Sequence, residues 1–441
     1  MQKILLLGAG KSSTYLIDYL LACAPKHKWH LVVADLDPIL AQSKIGKTFH
    51  ANVESLDIAN SEARRSLIGQ SDLVISLLPA SLHESVALDC LELQKNLLTA
   101  SYRDEGVRKL AARIEKAGIL FLYEMGLDPG IDHMSSAKLI RSVKGKGGVV
   151  QSFRSFCGGL SDPSANDNPW HYKISWNTRN VVLAGKSGAV YKEKGKICRV
   201  TYEELFDQAK TVQVPGMGRL AYYPNRDSLE YMNLYQVEEA ETFLRATLRF
   251  PDFCEGWNAL VKLGLTDEKK SLNTDRMPFV RWATQNLRQR KGASSEEALQ
   301  EFLKVRENSK VIRQLRYLGF LNGGLVNQGK RSNAEVLQSV LENKLKMEPD
   351  DRDLIVMQHE IEFERRNIRT RLVATLKVIG ENSHHTAMAK TVGLPLGIMA
   401  KLLLTGKIAL TGLHIPILPE IYQPVIRELE EWGIQFEEGF A

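Results

Sequence analysis

Two aspartates, one histidine, two glycines and a proline fall within ten residues, Glu124-Met-Gly-Leu-Asp-Pro-Gly-Ile-Asp-His133. Carboxylates and imidazole hold and move protons, so their chemistry is general acid–base catalysis or the gripping of a cation. The apolar run at 119–123 just before them reads as a buried strand. Asp-Pro-Gly then enforces a turn, because Pro129 fixes φ and Gly130 tolerates positive φ. Asp128, Asp132 and His133 are thereby expected on a rigid turn at a strand's carboxyl end, where open α/β sheets bind ligands. Asp132 and His133 also suit the start of the next helix, Asp132 as a cap and His133 as a buried ring.

A second constellation opens the chain. Gly8-Ala-Gly10 follows the apolar run 4–7. One glycine permits the tight turn, and the other lets backbone approach a pyrophosphate at a helix N-terminus. Ser13 stands where a third glycine is common. Asp35 is expected to end the second strand, where an acid bonds the adenine-ribose hydroxyls and repels a 2′-phosphate. NAD is therefore expected over NADP, with NADP still possible. The alternative is a glycine turn that is only structural, with Asp35 as a helix cap.

Positioning these groups calls for alternating strands and helices. Strands are expected at 4–7, 31–34, 49–53, 73–78, 96–99 and 119–123, and helices at 13–23, 83–93 and 105–117. Such alternation predicts βαβ units and an α/β fold with a Rossmann-type doubly wound parallel sheet. Beyond the turn, 151–156 and 369–376 alternate as antiparallel strands do. Residues 251–351 are charged and helical, with a capping box at Ser294-Ser-Glu-Glu297. Residues 350–380 read as strands again, and the C-terminus returns to helix.

Composition narrows the class. The chain has 441 residues, a formal net charge of +6 and dispersed basic residues, so no nucleic-acid partner is expected. Five cysteines lack CxxC spacing, which predicts no structural metal site and suits a reducing, cytoplasmic compartment. The N-terminus shows no signal-peptide pattern. The apolar stretch 392–410 contains Pro395, Lys401 and Lys407 and reads as a packed helix, so no membrane association is expected.

Several longer motifs resemble the saccharopine dehydrogenase family of the L-glutamate-forming type (saccharopine reductase). They are the 124–133 segment, Ser155-Phe-Cys-Gly-Gly-Leu160, Asn168-Pro-Trp-His-Tyr-Lys-Ile-Ser-Trp176, Tyr223-Pro-Asn-Arg-Asp-Ser228, Arg245-Ala-Thr-Leu-Arg-Phe250, Val356-Met-Gln-His359 and Met388-Ala-Lys-Thr-Val-Gly393. They keep the family's order along nearly the whole chain, more weakly between about 265 and 350. Leu97-Leu-Thr-Ala-Ser-Tyr102 is nearer to the bifunctional lysine-degrading relatives. The fungal biosynthetic members carry an Arg after the second strand, whereas this chain has Ala34-Asp35-Leu36.

The resemblance implies three domains: a Rossmann domain at 1–124 and 384–441, a mixed α/β substrate and dimerisation domain at 125–250 and 352–383, and a helical insert at 251–351. It implies a homodimer and NAD(P)-dependent oxidation of saccharopine to L-glutamate and 2-aminoadipate 6-semialdehyde, or the reverse. Family positions matching Ser101, Asp128, Arg226 and Thr247-Leu248-Arg249 contact saccharopine. Those matching Gly10, Lys11, Ser12, Asp57, Ile58, Leu77, Thr99, Ala100, Leu127, Asp128 and Pro129 contact the cofactor. Three substrate carboxylates call for Arg forks, and the secondary ammonium must lose a proton before hydride leaves. Asp128 is expected as base or ammonium anchor, and Tyr102 as a proton relay or packed aromatic. Arg154, Lys173 and Arg179 are weaker candidates with solvated or structural alternatives. Other readings are a related imine-reducing dehydrogenase of the carboxynorspermidine or lysine 6-dehydrogenase type, and a non-catalytic dinucleotide-binding redox sensor.

Overall fold

Leu73-Val-Ile-Ser76 and Ile4-Leu-Leu-Leu7 are buried along their whole length. A strand apolar on both faces must be covered by helices on both sides, which is the setting of a parallel sheet. The computed structural model, which describes residues 1–287, 292 and 294–440, bears this out. The strands β1 (Gln2–Leu7), β2 (Trp29–Asp35), β3 (Ala51–Ser55), β4 (Leu73–Ser76), β5 (Asn96–Thr99) and β6 (Leu120–Leu122) lie in the order β3-β2-β1-β4-β5-β6. Every neighbouring pair is parallel. This order reverses direction beside β1, which puts the topological switch point between β1 and β4. Gly412–His414 adds a seventh parallel strand beside β6. It is too short, at three residues, to show a period in the sequence.

The differences from expectation are local. The third strand begins at Ala51 rather than 49, because Phe49 is fully exposed. The helix expected at 105–117 is two short ones, Glu105–Lys109 and Ala111–Lys116. The first helix, Thr14–His27, follows a single tight turn at Lys11–Ser13. The apolar C-terminal stretch forms the helix Ala387–Leu404, which by length and composition could cross a membrane but is mostly buried. It packs on the first helix so closely that a Cβ on Gly393 would lie 2.8 Å from the Leu16 nitrogen, and one on Gly397 2.7 Å from the Tyr19 ring.

The chain divides into two compact units, 1–149 with 376–437, and 150–375 with 438–441. The helix Ile131–Gly145 therefore groups with the dinucleotide sheet rather than with the mixed domain expected from 125 onward. The second unit carries a ten-stranded sheet, in which Val149–Ser161 lies between Thr242–Arg249 and Asp353–Arg365. Its pairing with Thr242–Arg249 is parallel, not antiparallel as the alternation at 151–156 suggested. The roughly eighty residues between these strands give the long crossover that a parallel pair requires. The helices of 251–345 share one hydrophobic cluster with this sheet, from Phe156 and Trp170 to Leu341 and Leu345. That common core is why the expected helical insert does not separate as its own unit. Residues 288–291, 293 and 441, which fall inside the expected domain ranges, lie outside the described residues. The capping box at Ser294 forms as expected, with Glu297.

Candidate functional site

At the end of β1 the chain turns sharply. Gly8 has φ +100°, donates its N–H to Ala34, and sits where a Cβ would be 3.1 Å from the Leu77 carbonyl. Only glycine fits that combination comfortably. Gly10 differs: a Cβ there would meet nothing within 4 Å. The protein leaves open space over Gly10, as backbone approach by a pyrophosphate at the following helix N-terminus demands. Lys11, Ser12 and Ser13 form the first turn, and the Ser13 hydroxyl donates to the Gly10 carbonyl.

Asp35 ends β2 as expected, but its carboxylate is engaged by the turn. One oxygen accepts the Ala9 N–H at 2.6 Å and the other the Asp37 N–H at 2.9 Å. Lys44, which the sequence gave no reason to single out, reaches the same turn from the helix Pro38–Ile45. Its ammonium donates to the Gly10 carbonyl and, at 2.9 Å, to the Ser13 hydroxyl. Burial pushes this ammonium down to about 8, against the pull of Asp35 and Asp18. The expectation that Asp35 simply presents its charge to the ribose thus loses part of its premise. The carboxylate organises the glycine turn, beside a cation.

Asp57 closes its own turn by accepting the Ala59 N–H, and the Ile58 carbonyl accepts from Arg64. Leu77 follows β4, and Thr99 and Ala100 end β5. These positions lie at carboxyl ends of strands in the dinucleotide unit, where the first-turn geometry fits a nicotinamide dinucleotide.

The 124–133 turn extends the sheet beyond β6. The Glu124 N–H donates to the Ser101 carbonyl and the Met125 N–H to the Thr99 carbonyl. Gly126 packs so tightly on Ala100 that a Cβ would lie 2.9 Å from the Ala100 methyl. The Asp128–Pro129 peptide is cis. At Gly130, with φ +148°, a Cβ would fall 2.0 Å from the Gly126 carbonyl oxygen. This geometry brings Tyr102 and Asp128 together, the phenol donating to the Asp128 carboxylate at 3.2 Å. Both side chains are half-buried, so they can meet a ligand.

Asp132 and His133 take the structural roles. Asp132 accepts the Gly130 N–H at 2.6 Å at the start of the helix Ile131–Gly145. His133 is fully buried, with Nε2 2.8 Å from a Glu124 oxygen. The other Glu124 oxygen accepts from Arg103 Nε at 3.1 Å. Although burial opposes ionisation, the His133 hydrogen bond and the charges of His133 and Arg103 hold the Glu124 carboxyl down at about 2. Glu124 itself adopts φ +59°, uncommon for a residue with a side chain.

The second unit carries the two arginines. Arg249 ends the strand Thr242–Arg249 and is 4% exposed. Its Nη1 donates to the Leu248 carbonyl at 2.8 Å, while Nε is buried without a hydrogen-bond partner. The guanidinium lies over the rings of Phe253 and Tyr172, 5.3 and 5.6 Å from their centroids. Among the described residues no carboxylate pairs with it. Buried cations are normally paired, so an anion brought to this place would meet a guanidinium not yet neutralised. Gly158 lets the neighbouring strand come close, since a Cβ there would be 2.4 Å from the Leu248 oxygen. Thr247 faces Cys157 and Tyr223 across the sheet.

Arg226 is exposed, has φ +53°, and follows the strand Gly218–Pro224. In the register that pairs Ala221 with Arg249, Arg226 comes five residues beyond Ala221. Beyond Pro224 the chain leaves that strand, and Arg226 pairs with Ala189 instead. The weaker candidates are paired within the protein: Arg154 with Glu362, Lys173 with Asp167 and Asp351, and Arg179 with Glu268. Among the described residues no three His, Cys, Asp or Glu side chains converge on a point that could hold a metal.

Comparison with known proteins gives one answer along the whole chain. Residues 4–122 match the saccharopine dehydrogenase NADP binding domain, and residues 126–434 the saccharopine dehydrogenase C-terminal domain. A saccharopine dehydrogenase [NADP(+), L-glutamate-forming] of Saccharomyces cerevisiae is 36% identical over 451 residues, 99% of each chain. The alpha-aminoadipic semialdehyde synthase of Arabidopsis thaliana is 34% identical over 473 residues, and this chain spans 44% of its length. The apo structure of histidine-tagged saccharopine dehydrogenase (L-Glu forming) from S. cerevisiae superposes with a TM-score of 0.86 at 31% identity, covering all of both chains.

Proposed function

The chain belongs to the saccharopine dehydrogenase family, and from that premise we propose that it interconverts saccharopine with L-glutamate and 2-aminoadipate 6-semialdehyde, using a nicotinamide dinucleotide. Written as oxidation, saccharopine, NAD(P)+ and water give L-glutamate, the semialdehyde, NAD(P)H and a proton. The observation that carries the reading is the family match along 99% of both this chain and the yeast enzyme named for that reaction.

The cofactor, when bound, supplies the hydride acceptor. Gly8, Gly10, Lys11 and Ser12 would hold its pyrophosphate, and the residues after β3, β4 and β5 the rest. The chain's own work is binding and proton handling. Arg249 and Arg226 answer carboxylates of the substrate, and a buried unpaired guanidinium does so strongly because little water competes. Asp128 takes the proton from the secondary ammonium, which frees the nitrogen lone pair to drive hydride from the adjacent carbon. Tyr102, bonded to Asp128, holds the carboxylate in place and hands a proton on when water adds to the imine and the carbinolamine collapses. Ser101, at the end of β5, offers a hydroxyl to the same amine.

The finer cofactor choice is proposed as NADP. The fungal relatives are named for NADP(+), and Lys44 offsets the Asp35 charge at the turn. NAD is the rival, favoured by the bare presence of a carboxylate at the end of β2. A homodimer is proposed from the family resemblance, and a reducing cytoplasmic compartment from five cysteines that are all free. One assay tests the core: purified protein with saccharopine and NADP or NAD, followed at the reduced-nicotinamide absorbance band. An absorbance rise is expected, steeper with NADP. No rise with either cofactor would refute the proposed activity, and a steeper rise with NAD would reverse the cofactor choice.

A further inference from the structure

His83 is a buried imidazole that the reaction as written does not use. It begins the helix His83–Glu92 and is 1% exposed. Both ring nitrogens meet serine hydroxyls. Nδ1 lies 3.0 Å from the Ser76 oxygen at the end of β4, and Nε2 lies 2.7 Å from the Ser101 oxygen just past β5. The ring edge faces Tyr123 at 6.5 Å between centroids. A single side chain thus bridges the ends of two adjacent strands, both of which carry residues assigned to ligands.

The two serines leave the neutral ring two tautomers. A neutral imidazole has one N–H and one lone pair. Ser76 comes from the β4 side of the ring, and Ser101 from the β5 side. In one of the two tautomers Nδ1–H donates to the Ser76 oxygen and Nε2 keeps its lone pair for Ser101. Burial keeps the ring neutral by pushing it down to about 4, outweighing the pull of the Leu78 backbone and the Asp104 charge.

We infer that His83 is a positioning residue for Ser101: its Nε2 accepts the Ser101 proton and so turns the Ser101 oxygen lone pairs outward, toward an ammonium donor on the substrate. A serine hydroxyl free to rotate presents donor or acceptor with little preference. One whose proton is already committed presents only an acceptor, which suits the secondary ammonium of saccharopine and disfavours a carboxylate in the same place. This rests on the reading that Ser101 touches the substrate amine.

Steady-state kinetics on Ser101→Ala, His83→Phe, His83→Gln and the Ser101→Ala/His83→Phe pair tests both levels. Ser101→Ala is expected to raise KM for saccharopine about tenfold, the worth of one hydrogen bond to a charged group, with KM for the dinucleotide unchanged. His83→Phe, which keeps a ring but loses the acceptor, is expected to do the same, and the double variant no more than either single. His83→Gln, whose amide oxygen can accept, is expected to recover most of the loss. If Ser101→Ala leaves saccharopine KM unchanged, the reading of Ser101 falls and takes the inference with it. If Ser101→Ala acts but folded His83→Phe does not, or the two effects multiply, Ser101 stands and the role of His83 falls. 15N NMR of histidine-labelled wild-type protein is independent of variant folding: His83 is expected neutral with Nδ1 protonated, and a proton on Nε2 overturns the inference.

Discussion

Arg249→Met separates binding from stability in one substitution. The guanidinium is almost wholly buried with no carboxylate paired to it among the described residues, and burying such a charge costs several kcal/mol, about 5. The Leu248 bond returns about 1.5–3 kcal/mol and the two ring faces about 1–2 kcal/mol each. The balance lies near zero, so methionine, similar in reach and apolar, should leave the substrate-free protein as stable or up to about 1 kcal/mol more so. For a unit of this size that is a melting shift of about 0 to +4 °C. Substrate binding should respond in the opposite sense. Losing a desolvated guanidinium–carboxylate pair costs about 3–5 kcal/mol, a rise in saccharopine KM of roughly two to three and a half orders of magnitude. Differential scanning fluorimetry with and without saccharopine reads both. Wild type should gain stability on adding saccharopine, about 2.7 kcal/mol at a hundredfold excess over Kd, and Arg249→Met should show no ligand shift. A variant that melts well below wild type yet keeps its saccharopine KM would refute the reasoning, because it would make Arg249 a structural cation.

Asp128→Asn should lower kcat by about 10² to 10⁴ while leaving dinucleotide KM within twofold; an unchanged kcat in steady-state assays would remove Asp128 as the base. Glu124 carries the acid sensitivity of the turn. Its carboxyl falls from 4.5 to about 2 on folding, so its contribution of about 3 kcal/mol is fully present above pH 4.5 and is lost as pH falls toward 2. Glu124→Gln should remove that part of the acid-denaturation slope, and an unaltered slope in a pH series of denaturant melts would count against it. Lys44, with Asp35, Asp18 and His384 as its charged or titratable neighbours, should lose its proton as pH rises through about 8. KM for NADP in wild type should climb several-fold from pH 7 to 9, and Lys44→Met should already be high and flat across that range.

What the sequence revealed follows from how far each signal reaches along the chain. Gly8, Gly10 and the Asp-Pro-Gly turn were legible because glycine and proline report backbone demands at their own positions, and the structure shows those demands as a positive φ, a near-contact and an open approach. The parallel sheet was legible because buried strands of four to seven residues read as continuous apolar runs. Pairing direction was not: alternation along 151–156 fixes which side chains face the core but not the sense of the neighbour, and that neighbour lies some ninety residues on. His83 and Lys44 were missed for the same reason. Each acts through hydrogen bonds spanning 7 to 34 positions, and no local pattern marks either one. Arg249 was visible as a candidate carboxylate fork, but that no carboxylate among the described residues pairs with it, as Glu362 pairs with Arg154, is a fact of three dimensions only.

The same distinction explains how Asp128 is held. A loop that must present a half-buried carboxylate at a fixed angle cannot rely on its own exposed bonds, which open easily. Here the rigidity comes from beneath. Glu124 in a left-handed conformation costs of the order of 1 kcal/mol or more, and it persists because its carboxylate binds Arg103 on one side and His133 on the other. His133 sits in the first turn of the helix Ile131–Gly145, beside Asp132, so the turn is anchored at both ends by buried side chains. Glu124→Gly makes the consequence testable. Glycine relieves the backbone strain but deletes the anchor. If strain relief governed, the variant would be more stable and as active as wild type. If the buried charges govern, stability should fall by about 2–3 kcal/mol, the anchor's roughly 3 less the relieved strain. kcat should fall with it, because Asp128 then samples angles that do not meet the amine.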